Sequence, residues 1–205
     1  MIGHGLSKAN KSKDNIDATT KHISKIMKKE GFAKAHIVGV SMGSLIAQYF
    51  AFEYPEKVES LTALGGYNIH KENKQVEKAQ RSVNFSMIFR AIFSMKAFRK
   101  KAAELTCKSE KGQALFYETA GLYQRKSFMV MQGLGNVIKT RDNIKPQYPT
   151  LILTGEYDIE LAKTMAKEWH FDNENSQYFI IEDAGHCANI DKPDEFNRIV
   201  DEFID

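Results

Sequence analysis

Residues 39–43 read Gly39-Val40-Ser41-Met42-Gly43, directly after the apolar run Ala35-His36-Ile37-Val38 and before a helix-forming segment, Ser44 to Glu53. Strand, tight turn and helix around a central serine is the setting of a nucleophile elbow. The turn must hold the serine at its tip in a strained backbone conformation, so that its hydroxyl points into open space. The same turn brings the end of the strand close to the start of the helix. A side chain at Gly39 or at Gly43 is expected to clash there, and glycine has none. The helix N-terminus adds positive potential and free N–H groups, and it places the backbone N–H of Met42 to stabilise an oxyanion. An acid and then a histidine must follow such a serine, each just after a later strand.

Outward from the elbow, four short apolar runs read as fully buried strands: Ala35–Val40, Val58–Leu64, Thr150–Thr154 and Gln177–Ile181. Continuous runs of this kind suit a parallel sheet covered on both faces. Helical segments separate them. Ser44–Tyr54 ends before Pro55, Glu160–Trp169 follows the third strand, and Pro193–Ile204 opens with proline and two acids. The alternation predicts a doubly wound α/β sheet. Between the second and third strands it breaks. Residues 70–147 carry no convincing strand and read as helices rich in Phe and Met, among them Phe85, Met87, Phe89, Phe93, Met95, Phe98, Phe116, Tyr117, Tyr123, Phe128, Met129 and Met131. The expected organisation is a core of residues 1–69 and 148–205 with a helical cap, 70–147, inserted in it. Most of those apolar side chains form the cap's own core, and some face a pocket suited to an apolar acyl or alkyl group.

The third strand runs into Thr154-Gly155-Glu156-Tyr157-Asp158 and the fourth into Glu182-Asp183-Ala184-Gly185-His186. The candidates for the catalytic roles are therefore Ser41, Asp158 and His186. His186 would take the proton from Ser41 and later deliver it to the leaving group. Asp158 would hold the imidazole tautomer and stabilise its cation. Asp183 lies too close in sequence to His186 to partner it, Glu156 is assigned a structural role, and Cys187 reads as a packing residue beside the site.

Bulk properties bound the rest. The chain has 205 residues, 42% hydrophobic and 27% charged, with a net charge of +3, which suits one soluble α/β domain with an insertion. Lysines crowd the first 34 residues, but acids sit among them. Ile16, Ile23, Ile26 and Met27 make an apolar stripe, so the segment is a helix with a wet basic face and not a nucleic-acid surface. The stretch from Phe85 to Ala103 is basic and amphipathic, and reads as a cap helix with a solvated face. Cys107 and Cys187, with no secretory leader, are expected as free thiols in a cytoplasmic protein. No apolar run reaches membrane-spanning length. No metal-ligand spacing or nucleotide-binding pattern occurs, so no cofactor and no metal are expected.

The chain resembles the α/β-hydrolase superfamily, in the broad group of small serine hydrolases with a helical cap. The resemblance is carried by Gly39-Val40-Ser41-Met42-Gly43, by Gly155-Glu156-Tyr157-Asp158, and by Ala184-Gly185-His186 with the downstream Lys192-Pro193-Asp194-Glu195-Phe196-Asn197. It covers essentially the whole chain, most loosely the cap. It implies hydrolysis through an acyl-enzyme, usually of esters, sometimes of thioesters, amides or carbon–carbon bonds. The expected substrate is a small, largely apolar ester or related acyl compound.

One departure tempers this. In the family a His-Gly motif after the third strand supplies a second oxyanion amide. Gly3-His4-Gly5 instead resembles a segment that follows the fourth strand, here Ile2-Gly3-His4-Gly5-Leu6-Ser7. The resemblance thus implies that the first four strands and the oxyanion loop are absent. The strand at 35–40 would then be a bare apolar edge, open to pairing with a second copy, or the chain would be a shortened version of a longer protein. The alternative function is a catalytically impaired hydrolase-like domain that binds a ligand or a partner.

Overall fold

The computed structural model describes residues 1–7, 15–72, 90–123, 125–141, 144 and 146–205. Four strands, β1 (Ala35–Val40), β2 (Val58–Leu64), β3 (Thr150–Gly155) and β4 (Ser176–Ile181), form one parallel sheet in the order β1-β2-β3-β4. Helices α1 (Thr19–Glu30) and α2 (Met42–Glu53) flank β1, and α6 (Glu160–Phe171) links β3 to β4. After β4 come the short α7 (Ala188–Asp191) and α8 (Pro193–Ile204). Between β2 and β3 the described residues form helices only: α3 (Met95–Thr106), α4 (Glu110–Thr119), α5 (Leu134–Val137) and short 3-10 turns.

Alternation along each strand sends side chains to opposite faces. On one face Leu61, Ala63 and Ile152 meet Met27 of α1, Phe50 and Ala51 of α2, and Ala166 and Trp169 of α6. On the other, Leu64, Leu151, Leu153 and Ile181 meet Phe196, Ile199 and Val200 of α8. Phe50, Leu61 and Ile152 are buried completely or nearly so, and each contributes about 1.5–3 kcal/mol of apolar burial. This core fixes the C-terminal ends of all four strands on one edge of the sheet, where the elbow and the two later loops emerge.

The outer strands correct one expectation. β2 and β3 are covered on both faces, but β1 and β4 alternate between exposed and covered residues. They end the strand order, so each has a neighbouring strand on one side only among the described residues. Val38 is 48% exposed, and among the described residues β1 pairs only with β2. The apolar stripe of the first helix is also narrower than expected. Ile16 and Met27 are buried, but Ile26 faces solvent.

In the helical segment, Phe98 and Tyr123 stack at 6.1 Å and Phe128 meets both edge-to-face at 5.1–5.5 Å, and His4 packs on Tyr123 at 5.1 Å. Val137, Leu134 and Met131 pack instead against Leu45 and Ile46 of α2. Phe93, expected among the apolar core, is 71% exposed. Phe85, Met87 and Phe89 lie outside the described residues. No helix among the described residues is long and apolar enough to cross a membrane.

Candidate active site

Ser41 occupies the point where β1 becomes α2. Its backbone has φ 52° and ψ −120°, a region that a side chain other than glycine adopts only under strain. The Ser41 N–H donates to the Leu64 carbonyl at 2.7 Å, and its carbonyl accepts from the Ser44 N–H at 2.9 Å and the Ser44 hydroxyl at 2.6 Å. These bonds hold the strained residue from both sides. A Cβ at Gly39 would lie 2.5 Å from the Gly43 carbonyl oxygen and 2.6 Å from the Ser44 Cα, so that glycine is a steric requirement. At Gly43 a Cβ would meet nothing within 4 Å. The expected clash at Gly43 is therefore absent, because its Cα faces away from β1. Met42 is the first residue of α2. Its N–H is a helix-end amide with no carbonyl of its own helix to bond, which leaves it as the candidate oxyanion donor.

The three residues singled out at the strand ends come together. The Ser41 hydroxyl lies 2.8 Å from His186 Nε2, and His186 Nδ1 lies 2.9 and 3.0 Å from the two Asp158 carboxylate oxygens. With Nδ1 protonated, the ring donates to Asp158 and its Nε2 is free to accept from Ser41. The Asp158 side chain is fully buried and that of His186 is 20% exposed. Asp158 Oδ1 also accepts from the Ile159 N–H at 2.8 Å, which orients the carboxylate from its own turn.

The neighbours divide as their positions demand. Asp183 is exposed and pairs with Lys108 and with Lys192. Hydrogen bonding from the two lysines lowers its carboxyl to about 2. Glu156 accepts from the Asp183 N–H at 2.9 Å and braces the loop before His186. Cys107 and Cys187 are free and buried. The Cys187 thiol is pushed up by its hydrogen bond with Cys107 and by burial, which disfavours a thiolate there. Tyr157 and Ile159, on either side of Asp158 in the chain, are 57% and 62% exposed, and the Lys108 ammonium lies over the Tyr157 ring, 3.6 Å from its centroid. A cleft of about 380 Å³ lined by Gln48, His70, Arg141, Tyr148 and Trp169 includes none of the three residues.

Two residues escaped the reading of the sequence. Gly65, just after β2, has φ 62°, and a Cβ there would lie 2.7 Å from His186 Cε1. The imidazole is seated on its bare Cα. The pair Gly65-Gly66 at a strand end was the available signal. Asp191 accepts from the Lys108, Ser109 and Gly185 amides and from the Ser109 hydroxyl, at 2.6–2.9 Å. Burial raises its carboxyl, but these hydrogen bonds outweigh that and hold it below the usual range. No local pattern announces a bond that spans 82 residues.

A parallel fold that sets a strained serine after β1, and an aspartate and a histidine after β3 and β4, has known relatives. Residues 1–193 match the family model described as alpha/beta hydrolase fold. A proline iminopeptidase from Lactobacillus acidophilus is 24% identical over 84% of this chain and 66% of its own length. A monoacylglycerol lipase, ABHD6, from Bos taurus is 24% identical over the whole chain and 65% of its own length. The chain thus spans just under two thirds of these relatives. A thermophilic esterase from Thermogutta terrifontis superposes with a TM-score of 0.78 at 17% identity, covering 98% of this chain and 76% of the esterase. The chain belongs to the alpha/beta hydrolase fold family.

Proposed function

We propose that the chain is a serine hydrolase that cleaves a small, largely apolar ester or related acyl compound through an acyl-enzyme. The observation that carries this reading is the contact of the Ser41 hydroxyl with His186 Nε2 at 2.8 Å, with Asp158 behind the ring. In the proposed cycle His186 removes the Ser41 proton as Oγ attacks the acyl carbon. The Met42 N–H stabilises the oxyanion, and His186 then protonates the leaving group. Water repeats the sequence to release the acid. The described helices between β2 and β3 are assigned as a cap over the reacting serine. The name of one relative, a monoacylglycerol lipase, supports an apolar acyl preference. The relatives act on chemically different bonds by their names, an iminopeptidase and a monoacylglycerol lipase, so a proline p-nitroanilide is tested beside the esters.

Labelling by a fluorophosphonate probe, compared between the intact chain and Ser41→Ala, tests the nucleophile. A panel of p-nitrophenyl esters of increasing acyl length tests the pocket. Turnover restricted to charged or very short acyl groups would overturn the apolar preference. An intact chain that takes no label would support the impaired, ligand- or partner-binding domain instead.

A further inference from the structure

We propose that Asp191 is a positioning residue for His186, fastening the backbone that carries the imidazole to the turn between cap helices α3 and α4. The proposal rests on the hydrolase reading above and adds to it a residue outside the Ser41–His186–Asp158 set. The Asp191 carboxylate spans two segments. Oδ2 accepts from the Gly185 N–H at 2.9 Å and the Lys108 N–H at 2.8 Å. Oδ1 accepts from the Ser109 N–H at 2.9 Å and the Ser109 hydroxyl at 2.6 Å. A carboxylate has about four acceptor sites, and all are engaged. Gly185 immediately precedes His186, so one oxygen holds both the histidine loop and the α3–α4 turn.

The joint is tight on every side. Ser109 caps α4 by accepting from the Gly112 N–H at 2.9 Å. A Cβ on Gly112 would lie 2.4 Å from Asp191 Oδ1, and a Cβ on Gly185 would lie 2.9 Å from the Thr106 carbonyl oxygen. The Cys187 N–H donates to that same carbonyl at 2.8 Å. Glycine at 112 and 185 is what lets cap and loop close on the carboxylate. A cap helix that shifts must therefore pull on the residue beside His186, while Gly65 and Asp158 hold the ring from the other directions. Asparagine has the shape of aspartate but replaces one oxygen with a donor. With its remaining oxygen turned toward Gly185 and Lys108, asparagine would still hold both segments, so alanine, which removes both acceptors, is the variant that releases the joint.

The test compares the intact chain with Asp191→Ala and Gly112→Ala, with Ser94→Ala as a control. Ser94 caps α3 by accepting from the Ala97 N–H at 3.2 Å and does not touch Asp191. Turnover of a short-chain p-nitrophenyl ester is measured per active site, counted by burst titration. Asp191→Ala and Gly112→Ala are expected to lose on the order of 100-fold in kcat per titrated site, as a misplaced catalytic group does, with KM nearly unchanged. Ser94→Ala is expected to lose stability alone. Wild-type kcat per titrated site in Asp191→Ala, with only a lower Tm, would overturn the proposal. Should the intact chain take no label, the hydrolase reading fails separately. The downfield proton resonance of His186 Nδ1–H then decides this proposal: broadening in Asp191→Ala supports it, and an unchanged signal overturns it.

Discussion

The imidazole of His186 rests on the Cα of Gly65, so closely that a Cβ there would stand 2.7 Å from Cε1 and 2.9 Å from Nδ1. The ring nitrogen that faces Asp158 is thus fixed by shape as well as by hydrogen bonding. Gly65→Ala must displace the ring or distort the turn, and it also places a side chain at φ 62°, which costs about 1–2 kcal/mol. We expect kcat to fall on the order of 100-fold in a protein that still folds. Steady-state kinetics beside a thermal melt checks this, and unchanged kcat would show that the ring has another seat.

The elbow glycines should separate cleanly. Gly39→Ala drives a Cβ to 2.5 Å from a backbone oxygen that cannot swing away. It should cost about 1–3 kcal/mol or more, seen as a lower Tm and poor expression. Gly43→Ala meets open space on a helix and should raise stability by up to about 1 kcal/mol. Equal melts for the two variants would contradict the geometry of the turn.

Asp158→Asn keeps the shape of the site but offers the imidazole an amide group in place of one oxygen. The wrong tautomer then leaves Nε2 unable to accept from Ser41. Loss of turnover on the order of 10⁴-fold, with the fold retained, is expected. A loss of less than about tenfold would assign the acid role elsewhere.

Stability should depend on pH through His70. Burial, and then the Arg141 charge, lower it to about 4, below the unfolded value of about 6.5. Between pH 6.5 and 4 the unfolded chain binds more protons than the folded one, so stability rises with pH across that window and is lost as pH falls through it. With its partial exposure discounted, the effect is about 1–2 kcal/mol. His70→Gln should flatten the Tm profile between pH 4 and 6.5, and an unaltered profile would place the titration in another group.

The open side of β1 remains a proposed pairing edge. Sedimentation or light scattering across a concentration series should then reveal a dimer. A monomer at every concentration, with a cooperative melt, would count against it.

Much of this was legible in the chain itself. β1 and β2 fall where the apolar runs place them, and β3 and β4 differ by one residue at one end, because short apolar, β-branched runs mark strands even where, as in β1 and β4, one face stays open. Ser41, Asp158 and His186 were legible because each sits at a strand end in fixed order. The helix after the elbow begins at Met42 rather than Ser44, since the strained serine itself serves as the cap. Asp191 and Gly65 were not legible as site residues. One joins the nearby Gly185 amide to amides more than 80 residues away, the other acts through the absence of a side chain, and neither leaves a periodic trace.

The most direct measurement is fluorophosphonate labelling of the intact chain with the modified peptide located by mass spectrometry. The account predicts one phosphonyl group on Ser41, absent in Ser41→Ala and strongly slowed in His186→Ala. A folded chain that takes no label, or takes it on another residue, would contradict it.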